Sequence, residues 1–152
     1  MKLTIAAVGR LRSGPTNKLF EEYVRRLHWP VTLHEVDNGR GSSAAVRRRD
    51  EGKRIARLLP KGVTVVALDE TGEELDSVAF SARLERWRDS GIRELAFVIG
   101  GPDGLDETIR KGATVVLAFG RQTWPHFLIR AMLAEQLYRA YTISTGHPYH
   151  RE

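Results

Sequence analysis

The side chains best suited to chemistry stand at the end of the sequence, in His147-Pro148-Tyr149-His150-Arg151-Glu152. Histidine as a residue type titrates near neutrality, which makes His147 and His150 candidate general bases. Tyr149 can stack on a nucleobase and hydrogen-bond to it. Arg151 can pair with a phosphate or with a developing oxyanion. Arg139, in Leu137-Tyr138-Arg139-Ala140, is a second cation of that kind, and its plainer role is a solvent-facing charge near a helix end. Chain ends are ordinarily frayed. Residues of these types directly after an apolar helix suggest instead a tail that folds over a site.

Two glycine-containing loops could hold a ligand. Gly100-Gly101-Pro102-Asp103-Gly104 follows an apolar run that ends at Ile99. Its G-G-x-x-G spacing is neither the dinucleotide fingerprint nor a P-loop, and Pro102 lacks the N–H that a phosphate cradle would use. Glycines at the carboxyl end of a strand let a ligand approach the backbone; a capped strand-to-helix turn is the simpler alternative. Phe119-Gly120-Arg121-Gln122-Thr123-Trp124-Pro125 leaves another apolar run in the same way. The two loops are therefore expected side by side, with room for an adenine and an amino-acid tail. Arg47-Arg48-Arg49 with Lys53, Arg54 and Arg57 forms a basic cluster. Three consecutive residues cannot share one helix face, so the cluster is either a solvated surface or, with Arg40 nearby, a contact for RNA phosphates. His34 and His126 read as structural. No histidine or carboxylate spacing suits a metal, so none is expected.

The elements that must position these loops follow from hydrophobic patterning. Lys2–Val8, Val31–Val36, Val63–Leu68, Leu95–Ile99 and Ala113–Phe119 are short, nearly continuous apolar runs, the signature of parallel strands buried on both faces. Between them, Thr16–Leu27, Ser43–Leu59, Ser77–Arg88 and Pro125–Tyr141 have helical character, with Ser77 expected as an N-cap and Pro125 at the first helical position. The alternation predicts an α/β fold with a mostly parallel sheet flanked by helices. Asn38–Ser43 reads as a loop within one domain spanning residues 1–152.

Composition narrows the function. The 152 residues carry a net charge of +5, which favours a polyanionic partner such as RNA. There is no cysteine, which fits a reducing cytoplasm and closes the covalent route to carbon 5 of a pyrimidine. Alkylation of a ring nitrogen stays open. No apolar run is long enough to span a bilayer, so no membrane role is expected.

Three blocks taken together are far more specific than any one of them: Ile99 to Leu105, Leu137 to Ala140, and the terminal His147 to Glu152. With Met1-Lys2-Leu3 and Ala7-Val8-Gly9, they closely resemble the RlmH family of SPOUT-class enzymes, which methylate N3 of a pseudouridine in 23S ribosomal RNA. The resemblance spans essentially the whole chain. It implies an α/β fold whose C-terminal part threads a trefoil knot, S-adenosylmethionine as cofactor, a homodimer, and large-subunit ribosomal RNA or the ribosome as partner. It carries the family's cofactor contacts onto Leu68, Gly100, Gly101, Phe119, Gly120, Arg121, Gln122, Thr123 and Trp124. Catalytic roles fall to His147, Tyr149, His150, Arg151 and Arg139. One departure is visible: the family has a largely apolar, Leu-Ser-containing loop where this chain has Phe119-Gly120-Arg121-Gln122. Contacts made through the backbone should survive that change. The competing readings are a non-catalytic RNA-binding module and a related enzyme acting on transfer RNA.

Overall fold

The five apolar runs form five strands in the computed structural model, which describes residues 1–151; Glu152, the last residue of the terminal block, lies outside the described residues. In chain order the elements are β1 (Lys2–Val8), α1 (Pro15–Arg26), β2 (Val31–Val36), α2 (Ala44–Leu58), β3 (Thr64–Glu74), α3 (Ser77–Asp89), β4 (Glu94–Ile99), α4 (Glu107–Gly112), β5 (Val115–Ala118) and α5 (His126–Thr145). The strands lie in the order β2-β1-β4-β3-β5, every pairing parallel. The parallel sheet expected from the sequence is therefore present, and its central strands β1 and β4 are buried along almost their whole length.

Both faces are covered. Leu3, Ile5, Phe97 and Val66 pack with Phe20 of α1, Phe80 and Leu84 of α3, and Leu133 and Leu137 of α5. On the other face Ala6, Val8 and Val98 pack with Ile55 of α2 and with Leu105, just before α4. No helix among the described residues is long and apolar enough to cross a membrane.

The structure shortens β5 to Val115–Ala118, extends α5 through Thr145, and departs further from the sequence expectation as follows. β3 continues beyond Leu68 through Glu74, returning to pair with β5 after a bulge, so that Leu117 lies opposite both Leu68 and Glu73. That extension is charged and carries no apolar alternation, which is why only the buried half of the strand is legible. α4 is a single short helix started by Asp106, whose carboxylate accepts from Thr108 N. Ser77 is the first helical residue and not the cap: Asp76 accepts from Ala79 N, and the Ser77 hydroxyl donates to Gln136 of α5. Pro125 occupies the capping position, and its carbonyl accepts from Leu128 N and Ile129 N.

One polar group sits in the middle of this packing. Arg130 of α5 is fully buried. It donates to the carbonyls of Val8 at 2.5 Å and Gly9 at 2.6 Å, and to Glu35 of β2 at 2.6 Å. Glu35 in turn accepts from Leu11 N at 2.7 Å. A charge taken out of water needs this degree of pairing, and its burial pushes the guanidinium below its ordinary pKa. Replacing Arg130 with Met keeps the volume but strands Glu35 and two carbonyls. Arg130→Met should destabilise the protein by about 3–5 kcal/mol. A loss below about 1 kcal/mol in urea unfolding would contradict this account.

Candidate functional site

The carboxyl ends of β3, β4 and β5 open into a cleft of about 1120 Å³. In a parallel sheet this is where a ligand is expected, and the volume suits a cofactor-sized molecule. Leu68, Gly100, Gly101, Phe119, Gly120, Gln122, Thr123 and Trp124 all line it. Arg121 does not: its side chain is 92% exposed and turned toward Glu74 at 3.4 Å.

The glycine loop turns back on itself. Gly104 adopts a left-handed φ of 85° and donates to the carbonyl of Gly101 at 2.9 Å. A Cβ on Gly100 would lie 2.7 Å from the backbone of Gly104, and one on Gly101 would lie 2.8 Å from Val8. Side chains are thus excluded at Gly100 by the loop's own backbone and at Gly101 by Val8 of β1 and Glu51 of α2. The second loop is fixed by two hydrogen bonds: Trp124 Nε1 to the Phe119 carbonyl at 3.0 Å, and the Thr123 hydroxyl to Glu70 at 3.0 Å. The latter bond joins the segment after Leu68 to the loop after β5.

Sequence reasoning left out several cleft residues. Asp69 and Glu70 follow directly on Leu68, and Arg48, Arg49, Arg110 and His126 also line the cavity. Their common signal is position at the carboxyl end of the sheet. His126 stacks near Phe127 with its Nε2 buried and without a hydrogen-bond partner, and burial followed by the charge of Arg130 lowers its pKa. Arg47 clamps Asp103 through two hydrogen bonds of 2.7 and 3.2 Å, and Arg48 donates to the Asp103 carbonyl. These bonds pin α2 to the glycine loop. The Arg47 guanidinium holds the Asp103 carboxyl below its ordinary range.

The terminal residues gather elsewhere. α5 ends at Gly146, whose left-handed φ of 69° reverses the chain, with His147 N donating to the Thr142 carbonyl at 2.9 Å. The tail then lies back along α5. The Tyr149 hydroxyl donates to Glu135 at 3.1 Å and is 3.2 Å from the Tyr23 hydroxyl, while its ring meets Tyr138 edge-on and lies under Arg139. Burial, and then the hydrogen bond with Tyr23, raise the Tyr149 pKa well above the ordinary phenol range. Arg139 pairs with Glu135 at 2.9 Å and lies 3.3 Å from His150 Nδ1. A guanidinium can only donate, so His150 Nδ1 is the acceptor; His147 Nδ1 likewise accepts from Tyr149 N at 3.2 Å. Arg151 is exposed. The structure thus brings Arg139, His147, Tyr149 and His150 together, but none of them lines the cleft. Tyr23 and Glu135 border a second cavity of about 710 Å³, which shares Phe119 and Gly120 with the first. Tail and cleft therefore stand on two sides of the same loop. Among the described residues no group of histidine and acidic side chains converges as a metal site.

The Arg47–Asp103 pair makes a pH-dependent contribution. A carboxylate whose folded pKa is lowered stabilises the fold above its unfolded pKa, and that stability is lost as pH falls through the folded value. The advantage of wild type over Asp103→Asn in urea should be complete at neutral pH and shrink below about pH 4. An advantage that does not vary with pH would remove the ion pair as its cause.

Comparison with known proteins places this geometry in a family. Residues 1–150 match the family described as "Predicted SPOUT methyltransferase". The protein named ribosomal RNA large subunit methyltransferase H in Rhodospirillum centenum is 52% identical over 151 residues, covering 99% of each chain. Its namesake in Paramagnetospirillum magneticum is 50% identical over 151 residues, again covering 99% of each. Among solved structures, a probable methyltransferase from Bordetella pertussis Tohama I superposes with a TM-score of 0.55 over 91% of this chain and 95% of that one. At 12% identity it speaks for the fold alone. A parallel sheet with a cleft at its carboxyl ends, matched along almost its full length, is accounted for in one way: the chain belongs to the SPOUT methyltransferase family.

Proposed function

We propose that this chain transfers a methyl group from S-adenosylmethionine to large-subunit ribosomal RNA, and that the acceptor is N3 of a pseudouridine. The observation that carries the reading is the cleft at the ends of β3, β4 and β5 in a chain about half identical, end to end, to proteins named for that substrate. Those names favour ribosomal over transfer RNA. The donor set of the cleft suits a cationic, zwitterionic ligand. Asp69 and Glu70 offer carboxylates, Arg49 and Arg110 offer cations, and Leu68, Leu117 and Ile129 offer apolar surface to an adenine. When bound, S-adenosylmethionine supplies an electrophilic methyl group on a sulfonium.

The residues of the chain have two tasks. The cleft loops must hold the acceptor nitrogen in line, about 3–3.5 Å from the methyl carbon. The tail must help the N3 proton leave. Tyr149 is a poor base, because its raised pKa keeps it a neutral phenol. His147 or His150 therefore takes the proton, directly or through water. Because both Nδ1 atoms accept internal hydrogen bonds, the ring hydrogen of each neutral imidazole sits on Nε2. The acting histidine must move it before Nε2 can accept. Arg139 or Arg151 stabilises charge on the flanking carbonyl oxygens, and Tyr149 orients the base.

The same reading makes the protein a homodimer. Within one protomer the tail lies across the Phe119–Gly120 loop from the cleft. A partner's tail facing the cleft would complete the site. It also includes the trefoil knot implied by the family resemblance, and it places the protein in the cytoplasm, with the ribosome.

Calorimetric titration with S-adenosylhomocysteine should show saturable binding; none, with or without ribosomes, would leave an RNA-binding module as the better description. His→Ala at the acting histidine should lower turnover by about 10²–10⁴-fold with S-adenosylhomocysteine affinity kept. Wild-type turnover in both His147→Ala and His150→Ala would remove histidine from the mechanism. Mixing a tail-deleted chain with a Gly100→Leu chain should restore activity that neither has alone, and continued inactivity of the mixture would count against a shared site.

A further inference from the structure

The basic cluster of α2 divides in the structure, and the division has a direction. Arg47 and Arg48 turn inward and are spent on Asp103. Arg54 pairs with Asp50 at 2.7 Å. Glu51, on the same inner side, is buried and accepts from Gly39 N at 2.7 Å, while Asp50 accepts from Arg40 N at 3.1 Å. Arg49, Lys53 and Arg57 remain exposed, and no carboxylate among the described residues lies within ion-pair distance of them. They recur every four residues, so they form one outward stripe rising about 6 Å per step. The stripe begins at the cleft, which Ala45 and Arg49 line, and the exposed Arg40 flanks it.

The side of β3 and α4 is partly matched in charge. Asp69, Glu70, Asp106 and Glu107 line the cleft on the side of β3 and α4. Arg110 lies 3.9 Å from Asp69 and Lys111 2.9 Å from Glu107, so among the described residues the cations left without a carboxylate at this mouth are those of α2, and a polyanion is drawn to them.

We propose that the Arg49-Lys53-Arg57 stripe, with Arg40, is the docking surface for the phosphate backbone of the RNA substrate. The proposal rests on the methyl-transfer reading of the cleft. Four unpaired cations on a braced helix suit a strand of phosphates, which binds through charge and carries register without sequence information. The bracing gives the surface its use. The Arg47–Asp103 clamp and the Glu51–Gly39 bond tie α2 and its preceding loop to the glycine loop of the cleft. Phosphates held on the stripe therefore stand at a fixed offset from the methyl-transfer position.

The test uses Lys53→Glu/Arg57→Glu, whose residues do not line the cleft, beside Arg86→Glu/Arg93→Glu, an exposed pair on α3 and in the turn before β4 with the same change in charge. Binding to purified large-subunit ribosomal RNA and to ribosomes is measured from 50 to 200 mM salt, with S-adenosylhomocysteine affinity in parallel. Each lost phosphate contact lowers the log–log salt slope by about 0.7–0.9. The α2 variant should lose about 1.4–1.8 from the slope, so that wild type gives up about tenfold more affinity than the variant over this range. The Arg86/Arg93 variant should keep the wild-type slope, and both should bind S-adenosylhomocysteine normally. A wild-type slope in the α2 variant, an equal loss in both variants, or wild-type protein without salt-dependent RNA binding would each overturn the proposal. Failure of the methyl-transfer reading would look different: full salt-dependent RNA binding with no S-adenosylhomocysteine affinity.

Discussion

The guanidinium of Arg130 is the tie on which the arrangement depends. It reaches from α5 through the apolar face to the carbonyls at the end of β1 and to Glu35 on β2. Backbone carbonyls at a strand end have no ladder partner and must find a donor or water. Here the donor is a side chain from the last helix. The bond fixes the start of α5, and with it the loop from Phe119 to Pro125 that walls the cleft. The same helix carries Glu135 and Arg139, which hold the tail. One rigid element thus sets the position of both the cleft loop and the tail.

Charge does different work at different depths. In the core the Arg130 guanidinium is matched by Glu35 and two carbonyls, because an unpaired ion there costs several kcal/mol. On the inner side of α2 it serves as a brace, with Arg47 and Arg48 holding the glycine loop. On the outer side it is left free. Three neighbouring residues of one sequence cluster therefore have unlike duties, decided by the roughly 100° turn between successive helical positions.

Much of this was legible in the sequence. The strands declare themselves because burial on both faces demands unbroken apolar runs, as in Leu95–Ile99. The cleft loops are legible because a parallel sheet gathers the loops at its carboxyl ends on one side. What stayed hidden has physical reasons. Arg130 sits in an apolar helix where spacing alone cannot tell a buried arginine from an exposed one. The extension of β3 through Glu74 is a charged ribbon held by pairing with β5, so no hydrophobic period marks it. α4 is too short for periodicity to show. The separation of tail from cleft depends on how Gly146 reverses the chain, and a glycine after an apolar helix gives the stop without the direction.

The strand order β2-β1-β4-β3-β5 has a further consequence, for when the protein becomes complete. β1 lies beside a strand that begins more than half the chain later, and Glu35 meets a partner 95 residues downstream. Such long-range closures slow folding, because the entropy of the loop is lost before the contact forms. A nascent chain therefore holds Glu35 and the end of β1 without their donor until α5 has been synthesised, so the sheet and the cleft at its carboxyl ends are fixed late.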